Sequence, residues 1–310
     1  MSFLVTGGTG FIGSHLVREL AEKGQKVIVF DYLPNIGAIS DVKDKVEVVR
    51  GDILDVTELL NSIKKHDVEY IIHLAYLLIP ESQEKPLKAV KINCEGTSNI
   101  FEVARIMDVK RVVWASSIAV YGPAEYYDDK PVNEDAPKRP TNVYGACKVL
   151  NEFMGEYYYD AYKLDNIGLR FTVVYGPGRA RGATAFASEL IENPALRKPV
   201  KVRYGDQKID WEYVKDAVKA IVLACHVKQV KHRIFNTCGD LRTIYEAADY
   251  VKKLIPDAVI EVEPGVMGWQ MEFDITRAKE ELGYTPSYTM EEGIREHINI
   301  VRARAGLPPV

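Results

Sequence analysis

The chain has 310 residues, of which 47% are apolar and 27% charged, and a formal net charge of −4. This composition is typical of a globular protein with a full core, and it disfavours nucleic acid and anionic membranes as partners. The four cysteines are scattered, which excludes a closely spaced zinc site and a disulfide scaffold. These reduced cysteines favour a cytoplasmic protein without a metal. No basic segment or membrane-length apolar run opens the chain, so neither a signal peptide nor a membrane span is expected.

Short β-branched runs alternate with longer segments of helical periodicity. After the apolar run Phe3-Leu4-Val5, the predicted strands are 27–30, 46–49, 70–73, 111–115 and 167–171, and the predicted helices are 12–23, 56–65, 87–107 and 144–162. This repeated βαβ pattern predicts an α/β fold of the Rossmann type, a doubly wound parallel sheet with ligands at the carboxyl ends of its strands.

Glycine and proline cluster after residue 171, which predicts a smaller C-terminal substrate lobe. The expected NAD-binding domain comprises residues 1–172 and about 206–236. The expected substrate-binding lobe comprises about 173–205 and 237–310.

A glycine-rich turn, "TGGTGFIG", joins the first apolar run to the first helix. Gly8-x-Gly10-x-x-Gly13 fits the dinucleotide fingerprint, and Gly7, Gly10 and Gly13 give an overlapping spacing. Glycine permits a tight turn and a close approach of a pyrophosphate to the start of a helix. The candidate cofactor residues here are Gly7, Gly10, Phe11, Ile12 and Gly13.

Asp31 ends the second predicted strand, at the spacing expected for a carboxylate that binds the adenosine ribose. A carboxylate at this place repels a 2′-phosphate, and the next residue is Tyr32 rather than an arginine. The sequence therefore predicts NAD, in preference to NADP, as the cofactor.

Tyr144 and Lys148 lie one turn apart on a predicted helix, in the sequence "VYGACK". A nearby ammonium favours the phenolate of a tyrosine, which makes Tyr144 a candidate base. Ser117, in "WASSIAVYG", follows a predicted strand and is expected to share the substrate oxygen with Tyr144. Its neighbour Ser116 has the weaker claim to this role.

These motifs, together with "GDI", "HLA", "NCEGT" and "LRFTVVYGPG", resemble the extended short-chain dehydrogenases/reductases of the NAD-dependent epimerase/dehydratase family. The resemblance implies that Asp52 and Ile53 contact adenine and that Leu74 and Ala75 line the cofactor groove. It also implies that Asn93 supports the cofactor site and that two long helices of each subunit pair in a homodimer. In such enzymes the residues matching Ser117, Tyr144 and Lys148 are catalytic, and the lysine also holds the nicotinamide ribose.

The chain departs from the sugar-nucleotide members of this family at three places. Val173, Ile209 and Trp269 stand where those members carry an asparagine and two arginines that grip a nucleoside diphosphate. The segments "HLAYLLIPESQEKPLKAVKIN" and "GATAFASELI" and the spacing from Trp269 to Asp274 are similar to threonine dehydrogenases of the short-chain type.

These departures favour oxidation of a secondary alcohol in a small hydroxy acid, amino acid or sugar acid by NAD. The candidate residues for binding that small-molecule substrate are Ser117, Arg179, Arg181, Thr184 and Trp269. The alternative is a nucleotide-sugar epimerase or dehydratase with resident NAD, similar to UDP-sugar 4-epimerases. A second alternative is a non-catalytic NAD-binding protein, against which the complete set of catalytic candidates argues.

Overall fold

A computed structural model of the chain describes residues 1–128, 131–268 and 272–310. The strands are β1 (Ser2–Thr6), β2 (Lys26–Asp31), β3 (Glu47–Arg50), β4 (Tyr70–His73), β5 (Arg111–Ser117), β6 (Asn166–Phe171), β7 (Val173–Tyr175), β8 (Val200–Val202), β9 (Lys208–Tyr213), β10 (Ile234–Asn236), β11 (Asp240–Thr243) and β12 (Ile260–Val262). The α-helices are α1 (Phe11–Glu22), α2 (Val56–His66), α3 (Glu81–Glu84), α4 (Pro86–Ala89), α5 (Gly96–Ile106), α6 (Val143–Tyr162), α7 (Phe186–Ala195), α8 (Val214–His226), α9 (Ile244–Leu254), α10 (Thr276–Leu282) and α11 (Met290–Arg304).

Seven parallel strands form the central sheet in the order β10-β6-β5-β4-β1-β2-β3. All five residues of β1 are buried, as expected for a parallel strand whose two faces are both covered. The strand order reverses between β1 and β4, so a crevice opens there at the carboxyl ends of the strands. This sheet confirms the predicted Rossmann-type α/β fold.

Two smaller sheets lie outside the central one. β9 pairs in parallel with β7 and antiparallel with β11, and β12 pairs with β8. β9 falls inside the segment 206–236 that was expected in the cofactor domain, although it pairs with β7 and β11 rather than with the central sheet. β7 follows β6 after a single residue and offers its edge to β9, whereas α8 and β10 return the chain to the central sheet. The division into two lobes otherwise remains a prediction.

The predicted helix 87–107 is interrupted in the structure. A π-helical segment, Val90–Glu95, separates α4 from α5. Such a wide turn does not alter the spacing of apolar residues enough to be recognised in the sequence, and π segments are frequent at functional sites. The other predicted elements agree with the structure to within about two residues.

Within the described residues, no helix is long and apolar enough to cross a membrane. Cys94, Cys147, Cys225 and Cys238 are free thiols, and the first three are buried. The cytoplasmic location remains a prediction.

Candidate active site

The glycine-rich turn between β1 and α1 has no room for side chains at two positions. Gly7 has a φ of 68°, and a Cβ added there would lie 2.9 Å from the carbonyl carbon of Leu74. A Cβ on Gly13 would lie 2.1 Å from the carbonyl oxygen of Gly7. Gly10 donates its backbone N–H to that same oxygen at 2.9 Å. The spacing of Gly7, Gly10 and Gly13 therefore shapes this turn.

The first turn of α1 can accept an anion. Its N-cap, Gly10, has no side chain to cap the helix, and the first turn contains no acidic residue. The leading N–H groups of a helix have no partner within it, and together with the helix dipole they favour a negative charge. Phe11 and Ile12 are half-buried at this end. The arrangement fits the pyrophosphate of a dinucleotide.

Asp31, at the end of β2, is held toward the glycine-rich turn. The backbone N–H and the hydroxyl of Thr9 both donate to its Oδ2, at 2.7 and 2.6 Å. Burial raises the pKa of Asp31, and the two hydrogen bonds from Thr9 oppose this rise. Because Thr9 uses only Oδ2, the other carboxylate oxygen is left to accept ribose hydroxyls.

The residues expected near the adenine follow β3 and β4. The side chain of Ile53 packs on α5, where a Cβ added to Gly96 would lie 2.5 Å from the Ile53 Cδ1 atom. Asp52 Oδ1 accepts a backbone N–H from two residues further on at 2.9 Å. Leu74 and Ala75 lie directly against the glycine-rich turn. Their contacts with adenine or with the cofactor groove stay predictions.

Asn93 lies in the π segment and is completely buried. Its Oδ1 accepts the backbone N–H of Leu77 at 2.8 Å, and its Nδ2 donates to the carbonyl of Leu77 at 3.0 Å. Both ends of the amide are therefore used on the loop after β4. Asn93 therefore supports that loop, and one N–H of its amide is not used on Leu77. Its contact with the cofactor stays a prediction.

Ser117 and Tyr144 are brought together by the way α6 packs on β5. Ser117 is the last residue of β5, and the side chain of Asn142 caps α6 by accepting the N–H of Gly145 at 2.8 Å. A Cβ on Gly145 would lie 2.3 Å from the carbonyl oxygen of Ala119, so the helix start packs tightly against the chain that leaves β5. Tyr144, in the first turn, therefore faces the end of the strand.

Ser117, Tyr144 and Lys148 form a cluster in which burial has the largest effect on the pKa values of the tyrosine and the lysine. Burial raises the pKa of Tyr144 to about 12, and the hydroxyl of Ser117 and the charge of Arg179 oppose this rise. Lys148 is completely buried, with Nζ donating to the carbonyl of Ala115 and lying 5.3 Å from the centre of the Tyr144 ring. Burial holds the pKa of Lys148 well below its usual value. Tyr144 therefore needs added positive charge before it can act as a base near neutral pH.

The family is shown by comparison with known proteins. The model of the NAD dependent epimerase/dehydratase family matches residues 3–239. The chain belongs to this family.

Three relatives illustrate the similarity. A UDP-glucose 4-epimerase of Mycolicibacterium smegmatis is 31% identical, covering 98% of this chain and 100% of its own. The structure of a UDP-glucose 4-epimerase from Thermotoga maritima with UDP-glucose has a TM-score of 0.89 and 28% identity, covering 98% of this chain and 100% of its own. An L-threonine dehydrogenase from Cupriavidus necator has a TM-score of 0.87, with 22% identity over 96% of this chain and 99% of its own, and shows the fold alone.

Membership of the epimerase/dehydratase family confirms NAD as the cofactor and an enzyme as the class of protein. The non-catalytic reading is therefore dropped. The open first turn of α1 and the free oxygen of Asp31 fit such a dinucleotide.

The structure separates the two neighbouring serines. The hydroxyl of Ser116 donates to Glu152 at 2.7 Å. Glu152 also forms a bidentate ion pair with Arg170, in which both N–O distances are 2.7 Å. This ion pair is completely enclosed. Ser116 is therefore committed to a structural contact, whereas the Ser117 hydroxyl is near Tyr144.

The structure also separates the two arginines expected to bind substrate. Arg179 donates to the hydroxyl of Thr184 at 2.6 Å, and its guanidinium carbon lies 5.8 Å from the centre of the Phe11 ring. Burial lowers the pKa of Arg179 to about 10. Arg181 is exposed. Arg179 and Thr184 thus lie beside the catalytic candidates; Trp269 lies outside the described residues.

Two buried carboxyl groups on β9 escape sequence analysis. The hydroxyl of Thr172 lies 3.1 Å from Asp210 Oδ1 and 3.0 Å from Glu212 Oε2. Burial raises the pKa of Asp210 to about 7 and that of Glu212 to about 8. Alternating acidic residues within the apolar "KIDWEYV" run are the signal that could have revealed them.

Val173 and Ile209 belong to the hydrophobic core. Their exposed fractions are 2% and 0%. The preference for a small substrate, which rested partly on these two positions, is not supported by the relatives named above, which are mostly UDP-glucose 4-epimerases.

Proposed function

We propose that the chain is an NAD-dependent nucleotide-sugar epimerase or dehydratase, with 4-epimerisation of a UDP-sugar as the first candidate reaction. The observation that carries this proposal is the buried cluster of Ser117, Tyr144 and Lys148 beside an anion-accepting first turn of α1. The similarity to UDP-glucose 4-epimerases over nearly the whole chain favours a nucleotide sugar over the small hydroxy acid expected from sequence.

The residues of the cluster have separate tasks. Tyr144, once deprotonated, removes the proton from a sugar hydroxyl, and Ser117 holds the reacting oxygen by a hydrogen bond. Lys148 supplies positive charge that stabilises the Tyr144 phenolate. Held by the glycine-rich turn and Asp31, NAD would supply the hydride acceptor for the carbon that carries this hydroxyl and the hydride donor for the opposite face of the oxidised sugar. Protonated Tyr144 then gives the proton back, which completes the reaction without loss of atoms.

The test is a substrate panel with the NAD-loaded protein. UDP-glucose, UDP-galactose and a thymidine diphosphate sugar are incubated separately, with products identified by NMR and absorbance followed at about 340 nm, where NADH absorbs. The expected result is a converted sugar without net NADH. Net NADH with a small hydroxy or amino acid, and no conversion of any sugar nucleotide, would overturn the proposal. Tyr144→Phe is the inactive control.

We also propose a cytoplasmic homodimer, formed by α6 and the helical run 86–106. Leu150, Phe153 and Tyr157 follow one stripe of α6 and are 46%, 63% and 50% exposed, and Leu87 is 72% exposed on the other helix. An apolar stripe of this kind fits a second copy of the same stripe. Light scattering at micromolar protein should give the mass of a dimer, and Phe153→Glu should give a monomer. A monomeric wild type would contradict the assembly.

A further inference from the structure

Tyr76, in the loop after β4, lies against the catalytic lysine. The Lys148 Nζ atom is 2.8 Å from the centre of the Tyr76 ring. The His73 ring also contacts the Tyr76 ring, with the two ring centres 4.5 Å apart. His73 is itself fixed between the hydroxyls of Thr6 and Thr97, at 2.7 and 3.1 Å. The Tyr76 ring thus contacts both the ammonium group and a histidine that is itself fixed by two hydrogen bonds.

A completely buried ammonium is unfavourable unless other groups compensate its charge. Within the described residues, the carbonyl of Ala115 is the one hydrogen-bond acceptor of Lys148, and no carboxylate lies in ion-pair range. The carboxylate of Glu152, on the same helix, is taken by Arg170 and Ser116. The negatively polarised face of an aromatic ring can provide the missing compensation.

We propose that Tyr76 is a positioning residue: its ring face binds the Lys148 ammonium and, together with the Ala115 carbonyl, orients it for the cofactor. An ammonium has three N–H groups. One donates to Ala115 and one lies on the ring face, so the third is left for the nicotinamide ribose and for charge stabilisation near Tyr144. This role rests on the proposed function, in which Lys148 acts on the cofactor and on Tyr144.

The ring, rather than the hydroxyl, performs this task. The Tyr76 hydroxyl is buried near the hydroxyl of Thr97, and no hydrogen bond of ordinary geometry joins it to another group in the part of the chain that the structure describes. Phenylalanine at this position keeps the ring face and removes an unpaired polar atom. Leucine removes the ring face while it stays apolar. Tyr76→Phe and Tyr76→Leu therefore form a matched pair.

The sign of the effect follows from the groups around Lys148. The titratable groups that face it are His73, Tyr76, Cys94, Tyr144, Cys147 and Glu152. Loss of the ring removes a group that favours the charged lysine. Lys148 then loses its proton at a lower pH, and the Tyr144 phenolate is stabilised less. The acidic limb of the pH–rate profile therefore moves to higher pH.

The first measurement needs no substrate. Protein labelled with carbon-13 at the lysine ε positions is followed by proton–carbon NMR over a range of pH, and Lys148→Met assigns the Lys148 signal. Stacking over a ring shifts the ε protons of Lys148 upfield in the wild type and in Tyr76→Phe. In Tyr76→Leu this shift disappears and the titration midpoint falls by about one pH unit. Tyr76→Met, which is close to leucine in volume, replaces Tyr76→Leu if the latter does not fold.

The second measurement is the pH–rate profile with UDP-glucose. Tyr76→Leu should move the acidic limb upward by about one unit, and Tyr76→Phe should leave it in place. An ordinary Lys148 signal in the wild type, or an unchanged one in Tyr76→Leu, overturns the inference whatever the substrate. A Tyr76→Phe variant that behaves like Tyr76→Leu overturns it as well. If the NMR result is as expected but no sugar nucleotide reacts, the proposed function fails and the contact with Lys148 stands.

Discussion

The cofactor side and the substrate side of the cleft satisfy their polar groups differently. On the cofactor side, two polar side chains are paired within the protein: Asp31 accepts two hydrogen bonds from Thr9, and Asn93 uses both ends of its amide on Leu77. On the substrate side, the Nε atom of Arg179 and the Oε1 atom of Glu212 are buried without a hydrogen-bond partner among the described residues.

An unsatisfied buried polar atom destabilises a protein by roughly 1–3 kcal/mol. The contacts of Asp31 and Asn93 are therefore made before any ligand arrives, whereas the substrate side carries a guanidinium and a carboxyl group whose hydrogen bonds are incomplete. The charge of Arg179 also acts on Tyr144, so Arg179 connects the substrate side to the cluster of Ser117, Tyr144 and Lys148. Changes on the two sides should accordingly affect different measurements.

The largest expected effect is a loss of turnover in variants of Tyr144 and Lys148, which lie between the cofactor side and the substrate side. Tyr144→Phe should lower turnover by roughly 100- to 10,000-fold, because it removes a positioned base, and should leave NAD affinity almost unchanged. Lys148→Met should lower both. Turnover is followed with UDP-sugars and NAD affinity by calorimetry. Near-normal turnover in Tyr144→Phe would exclude this residue as the base.

The next largest expected effect is on kcat/KM, and it differs between two arginines that are close in sequence. Arg179→Ala should lower kcat/KM by about 10- to 100-fold, because it removes a buried charged donor. Arg181→Ala, at an exposed position, should change it by less than about twofold. NAD affinity should be unchanged in both. Equal losses in the two variants would show that burial does not distinguish them.

A third effect concerns stability. Because burial raises the pKa of Asp210 to about 7 and of Glu212 to about 8, the folded protein retains protons that the unfolded chain releases. Their contribution to the free energy of unfolding is complete below pH of about 4 and is lost as the pH rises to about 8. Urea unfolding should show that Glu212→Gln loses less stability between these pH values than the wild type, by on the order of 2 kcal/mol. If the free energy of unfolding of Glu212→Gln changes with pH as steeply as that of the wild type, this prediction is wrong.

The smallest effect is on cofactor choice. Asp31→Ser should narrow the preference for NAD over NADP by about tenfold, because it removes a negative charge near the 2′-phosphate. Asp52→Asn, a change farther along the adenine side, should leave the ratio unaltered. Calorimetric titration with each cofactor measures both. A wild-type protein that binds NADP as tightly as NAD would contradict the assignment of Asp31.

The amino-acid sequence by itself determined the features that depend on neighbouring residues. The glycine turn of Gly7, Gly10 and Gly13 and the bounds of most helices and strands follow from backbone freedom and from the spacing of apolar residues. The family motifs place Tyr144 and Lys148 one helical turn apart, and this also needs no tertiary information. NAD was likewise predicted from the sequence, because the glycine-rich turn and Asp31 are recognised by their spacing along the chain.

Only the tertiary structure decided which of two similar neighbours faces the site. Ser116 and Ser117 point to opposite sides of β5. Ser116 donates to Glu152 of α6, which forms an ion pair with Arg170 of β6. Arg179 is half-buried and Arg181 exposed because of how their loop packs on α1 and α7. The contact of Tyr76 with Lys148 joins residues 72 positions apart in the chain. Periodicity along a sequence assigns a residue to an element, but its neighbours across elements are set by long-range packing.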